Sequence, residues 1–282
     1  MKKMIAIVMV IVIISQVPVF GEESHELNID SKSCVLMESS TGMVLYENNQ
    51  NEKLSPASIT KIMTLILIFD AIHSGKIKLT DVATTSAYAK SMGGSQVFLE
   101  EGETQTVETL IKCIIIASGN DASVVMAEMI AGSEEAFVKK MNERAKSLGM
   151  NNTHFIDCCG LTDSDGHYTT AYDLYLIFNE CIKHDEFVKI INSSSYTAHI
   201  TGADGTKRDV KWEPTNYYAK GEATPPDNVT IIGGKTGTTK GAGNCLILLT
   251  KDSSGNPYIS IIMGAGSKPL LYQDMTSMLS KI

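Results

Sequence analysis

The 282-residue sequence predicts an α+β fold, in which a largely antiparallel sheet is flanked by helices. Short β-like runs occur near both ends of the chain. Helical patterns with a 3.6-residue period fill the region between them, and one more helical pattern ends the chain. The composition, 43% hydrophobic and 20% charged, suits one large globular domain or two modest ones.

The first 21 residues have the pattern of a secretory signal peptide. Lys2 and Lys3 give a basic start, an apolar stretch runs from Met4 to Ile14, and small residues suited to a signal peptidase follow. The apolar stretch is shorter than the roughly 20 residues that a membrane helix needs. We therefore expect an exported protein that acts outside the cytoplasm, in contact with the membrane only through this segment if it stays uncleaved.

A hairpin and an apolar helix follow the signal. The hairpin is predicted over residues 33–49, with β-like runs on both sides of Ser40-Thr41-Gly42. The next segment, "SPASITKIMTLILIFDAIHSG", has apolar side chains on almost every face, so we expect a core helix that ends near Gly75. Ser55 is expected as its N-cap and Pro56 as its first residue.

The region from about residue 76 to 190 is predicted to be a helical lobe inserted between sheet-forming segments. Its helices are "TVETLIKCIIIAS", "DASVVMAEMIAG", "SEEAFVKKMNERAKSLGM" with Ser133 as N-cap, and "TTAYDLYLIFNECIKH". After Tyr196 strands return in "SYTAHIT", "KRDVKW", "IIGGKTGT", "NCLILLTK" and "YISIIMGAG". The segment "PLLYQDMTSMLSKI" is the last helix.

Charge and cysteine content exclude several kinds of site. The net charge is −8 and no basic run occurs, which argues against a nucleic-acid partner. The six cysteines are expected to be mostly free and buried, because a chain of this size does not need disulfides and Cys113 and Cys245 lie in apolar runs. Neither C-x-x-C nor H-E-x-x-H occurs, so we expect no metal and no cofactor.

Three short motifs stand out. Ser58–Lys61 is S-x-x-K at the start of the apolar helix, Ser118–Asn120 is S-x-N in a break between two helices, and Lys235–Gly237 is K-T-G on a strand. Each motif occurs by chance in many proteins. All three in this order, behind an export signal, are the combination known from penicillin-binding proteins and serine β-lactamases.

The first motif has the residues of an activated nucleophile. The Ser58 hydroxyl needs a neighbouring base to remove its proton. Lys61 lies one turn along the same face, and its enclosure in an apolar helix should lower its pKa, so that it acts as a neutral base. The helix N-terminus adds N–H groups and a dipole that would stabilise a developing oxyanion.

The other two motifs have the residues of a proton relay and a carboxylate site. Ser118 offers a second hydroxyl that can pass the proton to the leaving group. Lys235 is expected to supply a fixed positive charge beside the Thr236 and Thr238 hydroxyls, which suits a terminal carboxylate. A nucleophile facing such a pocket indicates acyl transfer at the C-terminus of a peptide.

The sequence resembles the D-alanyl-D-alanine carboxypeptidases, low-molecular-weight penicillin-binding proteins that trim peptidoglycan stem peptides. The resemblance covers nearly all of the mature chain and is carried by the blocks "VLMESSTGMVLYENN", "SPASITKIMT", "GSQVFLEEGE", "ASGNDAS", "NTHF", "GLTDSDGHYTTAYDL" and "GGKTGTTKGAGNCLI". It implies a fold like that of penicillin-binding proteins and serine β-lactamases, with residues 30–282 as one D,D-peptidase catalytic domain.

The resemblance also implies the residue roles and the substrate. The catalytic residues would be a nucleophile, a proton acceptor and a relay: Ser58, Lys61 and Ser118. The residues that bind the substrate amide, the terminal carboxylate and the oxyanion would be Asn120, Lys235, Thr236 and Thr238. The implied reaction removes the terminal D-alanine from stem peptides ending in D-Ala-D-Ala, with β-lactams as covalent inhibitors.

Two departures from the family pattern affect what we expect. Cys158-Cys159 precede Gly160-Leu161, where relatives have other small or polar residues, and we expect this pair to touch none of the motifs. The last helix ends at Ile282, so we expect no second C-terminal domain.

Three other functions remain open. A serine β-lactamase shares all three motifs, although the segment after Glu213 lies too near Lys235 to be its deacylating loop. A D,D-transpeptidase would transfer the same acyl group to an amine. A penicillin or peptidoglycan sensor would acylate without turnover.

Overall fold

Apolar, β-branched segments from both ends of the chain meet in one antiparallel sheet, as expected. The computed structural model describes residues 27–193 and 195–282. Its strands are β1 (Ser33–Glu38), β2 (Val44–Asn48), β3 (Val82–Thr84), β4 (Thr104–Thr106), β5 (Tyr196–Thr201), β6 (Lys207–Trp212), β7 (Thr230–Thr239), β8 (Gly243–Lys251) and β9 (Pro257–Ala265). The central sheet has the order β2-β1-β9-β8-β7.

The helices of the described residues are α1 (Lys61–His73), α2 (Ala87–Lys90), α3 (Val107–Ile116), α4 (Asn120–Ala131), α5 (Glu134–Ser147), α6 (Ala171–Cys181), α7 (Asp185–Ile191), α8 (Tyr217–Lys220) and α9 (Lys268–Leu279). Among them, α6 and α9 pack against opposite faces of the central sheet. Alternate residues of β8 point to opposite sides, so that Leu246 and Leu248 pack with α9 while Ile247 joins the larger core around α1. β1, β8 and β9 are therefore buried on both faces, which explains their continuous apolar runs.

The middle region, predicted to be a mainly helical lobe, also contains two short strands. β3 and β4 lie within it, and they pair with β5 and β6 to form a second, four-stranded antiparallel sheet. β3 and β4 are only three residues long, too short for the alternation that reveals a strand in sequence. β5 and β6 were predicted as strands correctly, but they belong to this sheet and not to the central one.

The predicted cap of the first helix was wrong. Ser55 does not cap α1, because a 3₁₀ turn, Ala57–Thr60, precedes it with Pro56 at the N-cap position. Ala57 has a φ of +47°, which interrupts regular helix geometry just before Ser58. Ser58 therefore lies in the tight turn, and Lys61 is the first residue of α1.

The cysteine prediction is confirmed, since all six cysteines are free and buried. The predicted signal peptide lies outside the described residues. Among the helices of the described residues, none is long and apolar enough to cross a membrane.

Candidate active site

The fold brings all three motifs together. The 3₁₀ turn packs against β7 so closely that a Cβ at Gly237 would lie 2.8 Å from the Pro56 carbonyl oxygen. Glycine at the end of K-T-G therefore allows the strand to lie beside the turn that carries Ser58. The break between α3 and α4 adds Ser118 and Asn120 from the other side.

Lys61 reaches Ser58 directly. Its Nζ lies 3.0 Å from Ser58 Oγ, 2.7 Å from Asn120 Oδ1 and 2.7 Å from the carbonyl oxygen of Cys159. The Lys61 side chain is fully buried. Burial lowers the pKa of Lys61, although the nearby Asp157 and Asp121 carboxylates oppose the shift. A buried amine in contact with a serine hydroxyl is the arrangement of a base and a nucleophile.

Ser118 has an uncommon backbone conformation for a residue other than glycine. Its φ is +60°, and it lies between the end of α3 at Ile116 and the start of α4 at Asn120. Lys235 Nζ donates to Ser118 Oγ at 2.8 Å and to the Thr236 carbonyl oxygen at 3.0 Å. Strain of this kind persists where the surroundings hold the residue, and it is common at functional sites.

Lys235, which the sequence predicts to supply a positive charge, lies in a buried position. It is 1% exposed, and burial together with the nearby Lys61 lowers its pKa well below the ordinary value. Both effects disfavour the charged form of an amine. A carboxylate bound beside it would oppose this shift and favour the protonated form.

Asn120 has a role beyond contact with a ligand. Its Oδ1 accepts from Lys61, and its Nδ2 donates to the Gly93 carbonyl oxygen at 2.7 Å. The amide nitrogen carries a second N–H that this contact does not use. The residue therefore orients the base and keeps one donor for a further acceptor.

The motifs surround a cavity of about 150 Å³. Its lining consists of Ser58, Ser95, Ser118, Thr215, Thr236, Gly237, Thr238, Cys245, Lys268, Leu271 and Tyr272. The lining includes Thr236 and Thr238, two of the residues predicted to bind the substrate. It also includes residues from the N-terminal half of α9. A larger cavity, of about 750 Å³, lies around the start of α5 and contains none of the motif residues.

Thr215 is a site residue that sequence reasoning missed. Its Oγ1 lies 2.5 Å from Thr236 Oγ1, so this hydrogen bond orients the hydroxyl that is predicted to bind a carboxylate. Glu213 instead forms a salt bridge with Lys211 at 2.7 Å and has an exposed side chain. No sequence pattern marks Thr215, because its contact depends on the loop that returns from β6 to β7.

Asp121 anchors the loop that covers the S-x-N motif. Its buried carboxylate accepts backbone N–H groups from Val97 and Leu99, each at 3.1 Å. The same loop contributes Ser95, whose carbonyl oxygen accepts from the Asn120 N–H at 2.8 Å. The position of Asp121 directly after S-x-N is the one signal in the sequence that could have indicated this role.

The expectation that Cys158-Cys159 touch none of the motifs was wrong. The Cys159 carbonyl oxygen accepts from Lys61, and the Cys158 carbonyl oxygen accepts from Thr64 Oγ1 at 2.5 Å. Both contacts are made by backbone atoms, so they do not require a particular side chain. This explains how cysteines occupy positions where the resemblance implies other residues.

One cluster in the described part of the chain has metal-ligand spacing, with ligand atoms of Glu134, Asp157 and Cys159 within 4.8 Å of one another. Protein donors already occupy its carboxylates. Asp157 accepts from the N–H groups of Cys159, Gly160 and Thr162, and Glu134 accepts from Cys158 N–H and Tyr88. Burial would raise the pKa of Asp157, but the His167 charge and these hydrogen bonds bring it to about 2.

Comparison with known proteins decides the family. Residues 20–267 match the D-alanyl-D-alanine carboxypeptidase family, peptidase S11. The chain belongs to this family. Among its relatives, D-alanyl-D-alanine carboxypeptidase DacF of Bacillus subtilis is 43% identical, over 92% of this chain and 64% of the relative. DacC of Escherichia coli is 34% identical, over 90% and 61%. This chain thus spans less than two thirds of the length of these relatives.

Solved structures confirm the predicted fold class. The DD-transpeptidase of Streptomyces K15 superposes with a TM-score of 0.81 at 26% identity, over 90% of this chain and 97% of that one. Penicillin-binding protein 5 of Haemophilus influenzae superposes with a TM-score of 0.77 at 30% identity, over 90% and 69%. The resemblance to carboxypeptidases and the α+β fold like that of penicillin-binding proteins are both confirmed.

Proposed function

We propose that this chain is a serine-type D-Ala-D-Ala carboxypeptidase that removes the terminal D-alanine from peptidoglycan stem pentapeptides. The observation that carries the proposal is the 3.0 Å contact between Lys61 Nζ and Ser58 Oγ. Ser58 lines a cavity together with Ser118, and Ser118 accepts a hydrogen bond from Lys235. Family membership supports the same reaction.

In the proposed acylation step, neutral Lys61 takes the Ser58 proton as Oγ attacks the carbonyl carbon of the penultimate D-alanine. The resulting oxyanion accepts hydrogen bonds from the backbone N–H groups of Ser58 and Thr238. The C–N bond to the last residue then breaks as Ser118 donates its proton to the leaving amine, and protonated Lys61 returns the Ser58 proton to Ser118, so that Lys61 is neutral again. Free D-alanine departs, and an ester joins the peptide to Ser58.

Deacylation repeats these roles with water. Lys61 takes a proton from the water that attacks the ester, and Ser58 leaves as the alkoxide and regains its proton. The short distances from Lys61 to Asn120 and Cys159 support its use as a base in both steps, because they hold the amine in place.

Lys235 and Thr236 would recognise the carboxylate of the terminal D-alanine. Binding an anion there favours the protonated form of Lys235. Thr215 supports this assignment, since its contact restricts the Thr236 hydroxyl. A β-lactam acid would use the same groups, and acylation of Ser58 by the lactam would inhibit the enzyme.

We also infer export, because stem peptides lie outside the cytoplasm and the first residues have a signal-peptide pattern. N-terminal sequencing of the protein recovered from culture medium or envelope would test cleavage near residue 21.

A D,D-transpeptidase is the second candidate, since the Streptomyces K15 structure that superposes on this chain belongs to a protein with that name. The two functions share the acyl-enzyme and differ in the acceptor, which is water or an amine. Both reactions release D-alanine. Assays with and without an added amine acceptor therefore measure whether the acyl-enzyme is hydrolysed or forms a new peptide bond.

The test incubates the purified chain with a peptide ending in D-Ala-D-Ala and measures free D-alanine. We expect release by the native chain and none by Ser58→Ala, which should also fail to label with fluorescent penicillin. Stoichiometric labelling without release would favour a sensor, and rapid penicillin hydrolysis would favour a β-lactamase. Labelling of Ser58→Ala would refute the assignment of the nucleophile.

A further inference from the structure

Two histidine rings meet where the end of α1 lies beside the start of α7. His73 is the last residue of α1, and His184 occupies the N-cap position of α7. Their ring centres are 4.7 Å apart, and the ring planes are inclined by 37°. His73 is exposed and His184 is half-buried, so an ion from solvent can reach the pair. Neither residue belongs to the three motifs or lines the cavity that the motifs surround.

A hydrogen bond determines which ring nitrogen of His73 is available. Its Nδ1 lies 2.8 Å from the carbonyl oxygen of Phe69, one turn earlier in α1. A carbonyl oxygen can only accept, so in the neutral ring Nδ1 carries the hydrogen and Nε2 keeps its lone pair. Histidines that bind metals commonly have this arrangement, because the hydrogen bond fixes both the tautomer and the orientation of the ring.

The ring of His184 is held by packing and has both nitrogens free. The Phe69 ring stacks on it, with 5.2 Å between the ring centres and 14° between the planes. Within the described residues, neither ring nitrogen of His184 has a hydrogen-bond or ion-pair partner. Burial and the neighbouring His73 lower the pKa of His184, so its ring is neutral near pH 7. A neutral imidazole with a free lone pair is a good ligand for divalent transition metals.

Carboxylates around the pair favour a bound cation. The negative charges of Asp70, Glu180 and Glu186 all act on the His184 ring and favour positive charge there. Asp70 and Glu180 also pair with Arg144, at 3.0 and 3.4 Å. The exposed carboxylate of Glu186 has no hydrogen bond or salt bridge in the part of the chain that the structure describes. A divalent ion between the two rings would therefore lie in a negative environment.

We propose that His73 and His184 bind one divalent transition-metal ion, of the class of Cu²⁺, Ni²⁺ or Zn²⁺, through Nε2 of His73 and one ring nitrogen of His184. Water completes the coordination, because the one group of three possible ligand residues within the described chain lies elsewhere. The ion joins the end of α1 to the start of α7. Since α1 begins at Lys61, the ion stabilises the helix that carries the candidate base.

Local sequence motifs do not reveal this pair. The expectation of no metal rested on the absence of C-x-x-C and H-E-x-x-H, in which the ligands are close in sequence. His73 and His184 belong to elements that are far apart in the chain, and only the fold brings them together. The inference does not depend on the proposed function.

The test titrates the purified chain, free of any histidine tag, with Cu²⁺, Ni²⁺, Zn²⁺ or Mg²⁺ and follows binding by calorimetry at 25 °C. We expect one ion per chain, with Cu²⁺ bound most tightly, because this is the order of affinity for nitrogen ligands. Mg²⁺ should not bind, since it prefers oxygen ligands. Equal binding of Mg²⁺, or no binding of Cu²⁺ and Ni²⁺, would overturn the inference.

Variants identify the ligands. His73→Gln and His184→Gln each remove one imidazole and keep a polar side chain, so each should weaken Ni²⁺ binding at least about tenfold. His199→Gln is the control, because it removes an exposed histidine that pairs with Asp209, and its Kd should equal that of the native chain. Circular dichroism checks that each variant is folded. An unchanged Kd in either folded variant would contradict the proposed site.

Electron paramagnetic resonance of Cu²⁺ bound to the native chain needs no variant and decides the question even if a variant fails to fold. Hyperfine splitting from two imidazole nitrogens would support the pair. A spectrum with fewer than two such nitrogens, as expected for Cu²⁺ bound at Glu134, Asp157 and Cys159, would overturn the inference.

Discussion

Lys61 and Lys235 are two amines buried within one small site, and each loses solvation of its charged form. Under the proposed function their tasks are opposite. Lys61 must be neutral to accept a proton, whereas Lys235 must be charged to hold a carboxylate. The repulsion between the two amines favours a state with only one of them protonated.

The rate of acylation by penicillin should therefore depend on pH in a predictable direction. Because burial lowers the pKa of Lys61, the rate should rise with pH as this amine loses its proton, with a midpoint below the ordinary lysine value of about 10.4. Stopped-flow measurement of the second-order rate constant gives this profile.

Lys61→Met provides the control, because it keeps an unbranched chain without the amine. Its acylation rate should fall at least about 100-fold and lose the rising limb. A variant that retained the rising limb would show that another group removes the Ser58 proton.

Residue-level prediction from sequence succeeded where chemistry needs a particular side chain. The spacing in the motifs predicted the Ser58–Lys61 contact, and the structure has it. It failed for Thr215 and for the Cys159 carbonyl, because contacts through a loop or a backbone atom leave no pattern in residue types.

At the scale of elements, the loop after α5 and the 3₁₀ turn meet at Gly160. Its φ is +76°, and a Cβ there would lie 1.8 Å from the Ala57 carbonyl oxygen and 2.7 Å from Thr60 Oγ1. Glycine is therefore needed both for the backbone conformation and for the close approach. Its neighbour Cys159 holds Lys61, so this packing also positions the candidate base.

Gly160→Ala should lower the free energy of unfolding by about 2–5 kcal/mol, from left-handed backbone strain together with overpacking. Gly149→Ala is a matched control, because Gly149 has a φ of +78° with no atom within 4 Å of the added Cβ. The control should lose only about 1–2 kcal/mol. Urea unfolding measures both, and equal losses would contradict the packing argument.

The prediction of helices and strands from the sequence was limited by the shortness of some strands and by local backbone geometry. The long helices and the strands of the central sheet were recognised because each repeats its period several times. β3 and β4 were missed because each has three residues. The start of α1 was misplaced because the sequence does not reveal the positive φ of Ala57.

At the scale of the whole molecule, all six cysteines are free and buried. We therefore expect the fold to be stable without disulfide bonds. Burial raises the pKa of Cys245 to about 11 and that of Cys34 to about 12, so neither forms the reactive thiolate at neutral pH. A thiol reagent should label about six groups in denaturant and none rapidly in the native state. Dithiothreitol should leave the Tm unchanged, and a lower Tm in dithiothreitol would reveal a disulfide.

The overall architecture was predictable because strands at both ends of a chain must meet to bury their apolar faces. The separation of β5 and β6 into a second sheet was not, since their alternating pattern is the same in either sheet. Sequence patterns specify which face of a strand is buried and leave its partner strand open.

The enclosed amine of Lys235 has a practical consequence at the bench. An anion that reaches it favours its protonated form, and acetate or citrate in a buffer carries the same functional group as the end of a stem peptide. Such ions would compete with substrate and shift the apparent pH optimum. Kinetic comparisons are therefore best made in buffers whose components have no carboxylate.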